Sequence, residues 1–79
     1  MRSIADIAYD IRKAWAKPSP HALPYLQHML APWGHETVRD AALYFLCNAN
    51  GWRGDDARRL KAELKAVIQD EVYRLRRYD

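Results

Sequence analysis

The sequence predicts an all-α fold, namely a compact single-domain bundle of four helices with a central apolar third helix and a long C-terminal helix. Apolar residues recur at helical spacing in four separate stretches. Turns that contain proline or glycine separate these stretches, and none of them alternates as a strand would. A chain of 79 residues corresponds to one domain, residues 1–79.

The first helix is predicted over residues 4–16. Ser3 followed by Asp6 is typical of an N-cap with an acidic residue three positions later. The apolar residues that follow share one helical face, and they are Ile4, Ile7, Ala8, Ile11, Ala14 and Trp15. The helix should end before Pro18, because proline disfavours helical angles in the residue that precedes it.

The second helix is predicted securely over residues 23–31, after a proline-rich stretch. Ser19 and Pro20 suggest an N-cap followed by proline at the first helical position. Pro24 would remove one early hydrogen bond, so the secure part starts close to it. Gly34 follows the helix and can adopt the positive φ that such an end often requires.

The third helix lies within residues 38–52, around which we expect the bundle to be organised. Thr37 and Asp40 resemble another cap pair, and Gly51 is the expected left-handed terminator. Residues 41–47 are the longest unbroken apolar run. A helix that is apolar on most sides must be covered on most sides, so this helix is predicted to be central.

The fourth helix is predicted over residues 55–77. Asp55 and Asp56 place negative charge at its N-terminus, where the helix dipole favours it. Its apolar stripe consists of Leu60, Leu64, Val67, Ile68, Val72 and Leu75. Such a helix is about 33 Å long, close to the diameter of a small domain. Its last turns are therefore expected to extend beyond the bundle or to contact a partner.

The chain shows no catalytic or metal-binding motif. The single Cys47 excludes an internal disulfide and a cysteine-based zinc site, and its apolar surroundings predict a buried thiol. His21, His28 and His35 are seven residues apart, about 10 Å along a helix, which is too far for two of them to share one ion. We expect no enzymatic activity, no catalytic residue, no metal and no cofactor.

The sequence also indicates where the protein acts. The N-terminal stretch lacks the apolar segment of a signal peptide, and seven consecutive apolar residues are too few to cross a bilayer. We expect a soluble intracellular protein without a membrane partner. Thirteen basic and ten acidic side chains give a net charge of +3, which is mild for an obligate nucleic-acid binder.

Basic residues of the fourth helix share one edge beside its apolar stripe. Arg58, Lys61, Lys65 and Arg76 lie on this edge with Gln69 between them, and no acid interrupts it. Such a row of cations suits phosphates or an acidic protein surface. The alternative is an ordinary solvated face whose aliphatic stems cover apolar surface.

The C-terminal tail and the tryptophan-containing turns complete the candidate contact site. Residues 72–78 mix arginines and tyrosines, which are enriched in binding hot spots, although basic residues at a helix C-terminus also simply favour the dipole. Trp33 and Trp52 are most simply lids on the core, with Arg53 as an exposed contact. The predicted partner-binding residues are Trp52, Arg53, Arg58, Lys61, Lys65, Tyr73, Arg74, Arg76, Arg77 and Tyr78.

Residues 44–68 read YFLCNANGWRGDDARRLKAELKAVI. This segment resembles a pattern in short helical proteins of bacteriophages and other mobile elements. There, an aromatic-rich helix ends in Asn-Ala, a Trp-Arg-Gly turn follows, and a helix with Lys-Ala-Glu-Leu comes next. The family has no established chemistry, so the resemblance assigns no role to any residue. It implies a small accessory protein, in the cytoplasm of a bacterial host cell, that binds a macromolecule.

Three functional hypotheses follow. The first is a non-enzymatic protein-binding module that inhibits a host defence nuclease complex, an inhibitor of the anti-CRISPR type. Its contacts would be the basic edge, the tail and the Trp52–Arg53 turn. The second is a nucleic-acid-binding accessory protein that uses the same basic edge on phosphates. The third, compatible with either, is a homodimer through the last helix.

Overall fold

The structure is a computed structural model that describes residues 2–76, with side chains up to residue 70. It contains four helices: α1 (Ile4–Ala14), α2 (Leu23–Leu30), α3 (Val38–Asn48) and α4 (Asp55–Arg76). No strand occurs within the described range. The predicted all-α bundle of four helices with a long last helix is therefore confirmed. The predicted end of α4 at residue 77 lies outside the described residues.

Side-chain caps define where two of the helices begin. The hydroxyl oxygen of Ser3 accepts a hydrogen bond from the Asp6 backbone N–H at 3.1 Å. The hydroxyl oxygen of Thr37 accepts one from the Asp40 N–H at 3.0 Å. Both predicted caps are confirmed, because such a cap depends on residues only three positions apart.

The start of α2 differs from the predicted Ser19–Pro20 cap. Ser19 does cap a turn, because its hydroxyl oxygen lies 3.3 Å from the Ala22 backbone nitrogen and accepts a hydrogen bond from it. That turn precedes the helix, whose own N-cap is Ala22. Pro24 lies at the second helical position, where its missing N–H costs nothing. The proline-rich stretch thus adds one turn before α2.

Two helix ends differ from the prediction. The helix α1 ends at Ala14, two residues early, because Trp15 adopts non-helical angles (φ −105°, ψ 89°). Gly34 has the expected positive φ of +71°. Gly51 does not, so its predicted role as left-handed terminator is wrong. The positive φ of this turn falls on Gly54, at +112°.

The core lies where the four helices meet. Helices α1 and α3 each contact the other three helices. The largest fully buried side chains come from all four helices, and they are Ile7, Ile11, Leu26, His28, Met29, Phe45, Leu60 and Leu64. The helix α3 is therefore central in its contacts, although α1 is equally so.

The outer face of α3 is not covered. Leu43 is 43 % exposed, Tyr44 is 50 % exposed, and the Cys47 thiol is exposed as well. The predictions that α3 is covered on most sides and that Cys47 is buried are wrong. A chain of this size offers too little surface to wrap a central helix completely, so α3 buries one face, through Ala41 and Phe45, and leaves the other in solvent.

An arginine before α1 fixes α1 against α4. The Arg2 guanidinium donates hydrogen bonds to both carboxylate oxygens of Glu63, at 2.9 and 2.5 Å, and one to Asp10 at 2.6 Å. These hydrogen bonds lower the pKa values of both carboxyl groups. Arg2 and Glu63 are 61 positions apart, so the contact joins the segment before α1 to α4.

Candidate functional site

The two edges of α4 differ in whether their charged side chains have partners of opposite charge. On the edge towards α1, the acidic side chains have basic partners: Glu63 is bound by Arg2, and Asp56 lies 3.5 Å from Arg59. The other edge carries Arg58, Lys61 and Lys65 at positions three and four apart, which places them in one row. Among the residues with described side chains, no carboxylate pairs with these three cations.

Lys61 is the structural member of this row. Its ammonium donates hydrogen bonds to the backbone carbonyls of Ala49, at 2.6 Å, and Trp52, at 2.7 Å. It also lies 5.9 Å from the centre of the Trp52 ring. Burial lowers the pKa of Lys61, and the nearby charges of Lys65 and Arg53 lower it further. The sequence predicted an exposed contact here, and the structure instead shows a residue that ties α4 to the preceding turn.

The predicted contact residue Trp52 belongs to the core, with 7 % of its surface exposed. Its ring stacks on Trp15, with centroids 5.2 Å apart and planes 5° from parallel. Trp15 in turn meets Phe45 edge to face at 6.0 Å. The interpretation of Trp52 as a lid on the core is therefore confirmed, and its ring is not available as an exposed anchor. Its burial and stacking hold the turn that contains Arg53 against the core.

Trp33, unlike Trp52, lies outside the core. It is 69 % exposed, so its interpretation as a lid on the core is wrong. Its ring contacts His28 edge to face at 5.5 Å. His28 is buried, and its Nε2 hydrogen bonds to the Glu36 carbonyl at 2.8 Å. That hydrogen bond links α2 to the loop before α3.

A surface pocket of about 280 Å³ opens beside the basic row, between the 52–54 turn and the first two turns of α4. Its lining residues are Trp52, Arg53, Gly54, Ala57, Arg58 and Lys61. Three of these six carry positive charge and none is acidic. The carbonyl of Gly54 accepts the first helical hydrogen bond of α4, from the Arg58 N–H at 3.0 Å. The pocket therefore lies at the positive end of the helix dipole.

Two lining residues, Gly54 and Ala57, were not among the predicted site residues. The sequence does contain one indication of them, a Trp-Arg-Gly turn directly before a helix. Glycine at the last position of such a turn suggests a positive φ and open space beside the helix N-terminus. Spacing on the helix alone does not reveal a pocket, because its other wall comes from the turn.

We refer to Arg53, Arg58, Lys61 and Lys65 together as the basic surface. The structure brings these four predicted residues together, with Arg53, Arg58 and Lys65 exposed. The side chains of Tyr73, Arg74 and Arg76, all on the last turns of α4, lie outside the described residues, as do Arg77 and Tyr78 entirely. Their predicted part in binding stays a prediction.

Among the described residues, no group of three or more histidine, cysteine or acidic side chains is arranged to hold a metal ion. His21 and His35 are exposed, whereas His28 is buried. A membrane-spanning helix, one both long and apolar enough, does not occur in the described part of the chain either.

No protein-family model matches the chain, and no curated protein or solved structure is significantly similar to it.

Proposed function

We propose that this protein is a non-enzymatic binding module that docks its basic surface on an acidic surface of a macromolecular partner. One observation supports this proposal above all. Arg53, Arg58 and Lys65 are exposed without a carboxylate partner among the described side chains, whereas Glu63 and Asp56 of the same helix are paired on its other edge. Complementary charge of this kind favours rapid and selective association.

The proposed partner is a protein complex of bacterial host defence. The resemblance of residues 44–68 to proteins of phages and mobile elements supports this setting, and with it an inhibitor of a defence nuclease complex of the anti-CRISPR type, acting in the cytoplasm. The molecule also exposes the large apolar side chains of Trp33, Leu43 and Tyr44, and aromatic side chains are enriched where protein partners bind. They support a protein rather than a nucleic acid as the partner.

A second candidate function is nucleic-acid binding. It is favoured by the pocket, whose three cationic lining residues face no acid, and by Lys65 one turn further along α4. Cations in such a row suit successive phosphates. Against it stands the mild net charge of +3. The two candidates use the same residues and differ in the chemistry of the partner.

The test of the first candidate is binding to purified defence nuclease complexes, together with inhibition of their cleavage. The double variant Arg58→Glu/Lys65→Glu should lose both. The matched control is Arg12→Glu/Lys13→Glu, which makes the same change in net charge on exposed residues of α1. Arg12 and Lys13 flank Tyr9 on the outer face of that helix. Equal losses in both double variants, or no complex with any effector, would refute the proposal.

The second candidate is tested by fluorescence anisotropy with labelled DNA and RNA across a salt series. Binding to phosphates should weaken linearly in the logarithm of salt concentration, and the Arg58→Glu/Lys65→Glu variant should reduce that slope. Absence of binding at low salt would reject it. Light scattering in the same buffers tests the proposed homodimer, which requires twice the chain mass of 9.3 kDa.

A further inference from the structure

We propose that the pocket between the 52–54 turn and α4 binds a terminal phosphate group, either inorganic phosphate or a phosphate monoester. The proposal concerns a small ligand site and does not depend on the docking function above. It rests on the lining of the pocket, on the fixed position of one ammonium group, and on the helix end that the pocket adjoins.

The charge of the pocket matches a terminal phosphate better than other common anions. Such a phosphate carries a charge of about −1.5 to −2 at pH 7 and three strong acceptor oxygens. Arg53, Arg58 and Lys61 supply three cationic donor groups around one space, and no acidic side chain lines it. A phosphodiester or a carboxylate has a single negative charge and would leave much of this positive charge unbalanced.

Lys61 is already held in position before any ligand binds. Two of its three N–H donors bind the carbonyls of Ala49 and Trp52, which leaves one donor for the pocket. Binding therefore requires no ordering of the Lys61 side chain, and such ordering is a main cost of recruiting a surface lysine.

The cations also repel one another in the absence of an anion. The charges of Lys65 and Arg53 both lower the pKa of Lys61, in addition to the larger effect of burial. Positive charges held close together without a counter-charge destabilise the folded state. A bound dianion would remove that repulsion, so its binding should also stabilise the fold and raise the pKa of Lys61.

The backbone contributes positive potential as well, part of which the carboxylates of Asp55 and Asp56 in the same turn offset. The first turn of α4 has N–H groups without helical acceptors, and they lie at the N-terminal end that the pocket adjoins. Gly54 lines the pocket, and a Cβ atom placed there would meet nothing within 4 Å. The space in front of the helix is therefore open to a ligand oxygen.

The proposal is tested by amide NMR spectra during titration with inorganic phosphate, with sodium chloride at equal ionic strength as the reference. We expect saturable shifts at the amides of Gly54, Ala57, Arg58 and Lys61. The affinity should rise as the pH is raised through the second ionisation of inorganic phosphate, because the dianion matches the three cations better than the monoanion does. Shifts of the same size with chloride, or none with phosphate, would overturn the proposal.

Two variants establish that the pocket is responsible. Arg58→Gln, at an exposed position, should fold normally and bind phosphate about tenfold more weakly, since it loses a charge-assisted hydrogen bond. Arg12→Gln removes an exposed charge from α1 and should bind as the original protein does. If both variants weaken phosphate binding equally, the effect is one of net charge and the site is refuted.

The source of the phosphate is distinguished by a second set of ligands. An oligonucleotide with a 5′-phosphate is compared with the same oligonucleotide ending in a hydroxyl group, and both with inorganic phosphate. A preference for the phosphorylated end identifies a nucleic-acid terminus, and equal affinity of that end and inorganic phosphate identifies phosphate alone as the recognised group. Phosphate binding without docking to any macromolecule would refute only the proposed function, and the reverse result would refute only the pocket.

Discussion

The ammonium of Lys61 lies 2.7 Å from the carbonyl oxygen of Trp52, so a side chain on the second turn of α4 closes the turn that leads into the helix. The same ammonium binds the carbonyl of Ala49, the C-cap residue of α3. Lys61 therefore satisfies two backbone carbonyls where α3 ends and also contributes positive charge to the pocket. One side chain therefore has both a structural and an electrostatic role.

The substitution Lys61→Met tests the structural part of this role. It keeps an unbranched apolar stem and removes both charge-assisted hydrogen bonds, so the free energy of unfolding should fall by about 2 kcal/mol. Lys65→Met is the control, one turn further along and exposed, and it should change that free energy by less than about 0.5 kcal/mol. Urea denaturation measures both. Equal stabilities of the two variants would contradict the assigned role.

Stability should fall in acid because of Arg2. The folded pKa values of Asp10 and Glu63 lie below their usual values of 3.8 and 4.5. Their contribution is fully present above these values and is lost as the pH falls through the lower, folded ones. The free energy of unfolding should thus decrease between about pH 5 and pH 3.

The variant Arg2→Met identifies the source of that pH dependence. Without the guanidinium, both carboxyl groups return towards their usual pKa values, so the decrease in stability between those two pH values should become shallower. Urea denaturation across the pH series provides the measurement. An unchanged slope would show that other carboxyl groups are responsible.

The orientation of α3 is tested by two neighbouring aromatic residues. Phe45 is fully buried, and Phe45→Ala should destabilise the fold by about 3–5 kcal/mol, enough to unfold a small domain. Tyr44 is 50 % exposed, and Tyr44→Ala should cost about 1 kcal/mol or less. Thermal unfolding followed by circular dichroism compares them. Similar costs would mean that α3 is rotated from the orientation described here.

The two glycines of the α3–α4 turn should differ although neither is crowded. A Cβ atom would meet nothing within 4 Å at Gly51 or at Gly54, yet only Gly54 of the two has a positive φ. Gly54→Ala should therefore destabilise the fold by about 1 kcal/mol or more through backbone strain. Gly51→Ala should be neutral or slightly stabilising, because it restricts the unfolded chain. Chemical denaturation measures the free energy of unfolding of both variants, and equal values would contradict the predicted difference.

The Cys47 thiol should react in the folded protein. Because it is exposed on the outer face of α3, a thiol reagent such as Ellman's reagent should modify it fully without denaturant. The comparison is the rate in urea, which should be similar. Protection of the native thiol by a large factor would show that another element or a second chain covers this face.

The parts of the fold that the sequence predicted are those that depend on near neighbours. Ser3 and Thr37 cap helices through residues three positions away, and the apolar stripes follow from helical spacing. The exposed face of α3 could not be predicted in the same way. Leu43, Tyr44 and Cys47 have the residue types of a core, and only the number of available covering helices leaves them outside.

The candidate site was predicted in its charges but not in its shape. Helical spacing placed Arg58, Lys61 and Lys65 on one edge, as the structure does. The hydrogen bonds of Lys61 were not predicted, because their acceptors are backbone carbonyls 9 and 12 residues earlier. Every residue has such a carbonyl, so residue type does not indicate which ones accept. The burial of Trp52 was one of the two interpretations from the sequence, but its stacking partner, Trp15, lies 37 positions earlier, directly after α1.

The separation of charge across α4 has a kinetic consequence. With carboxylates paired on one edge and cations unpaired on the other, the molecule has a permanent electric moment as well as its net charge. In the electric field of an acidic partner, such a molecule turns its basic surface towards that partner before contact. This orientation raises the association rate, and added salt should lower that rate because it screens the field. The dissociation rate, set by short-range contacts, should respond much less to added salt.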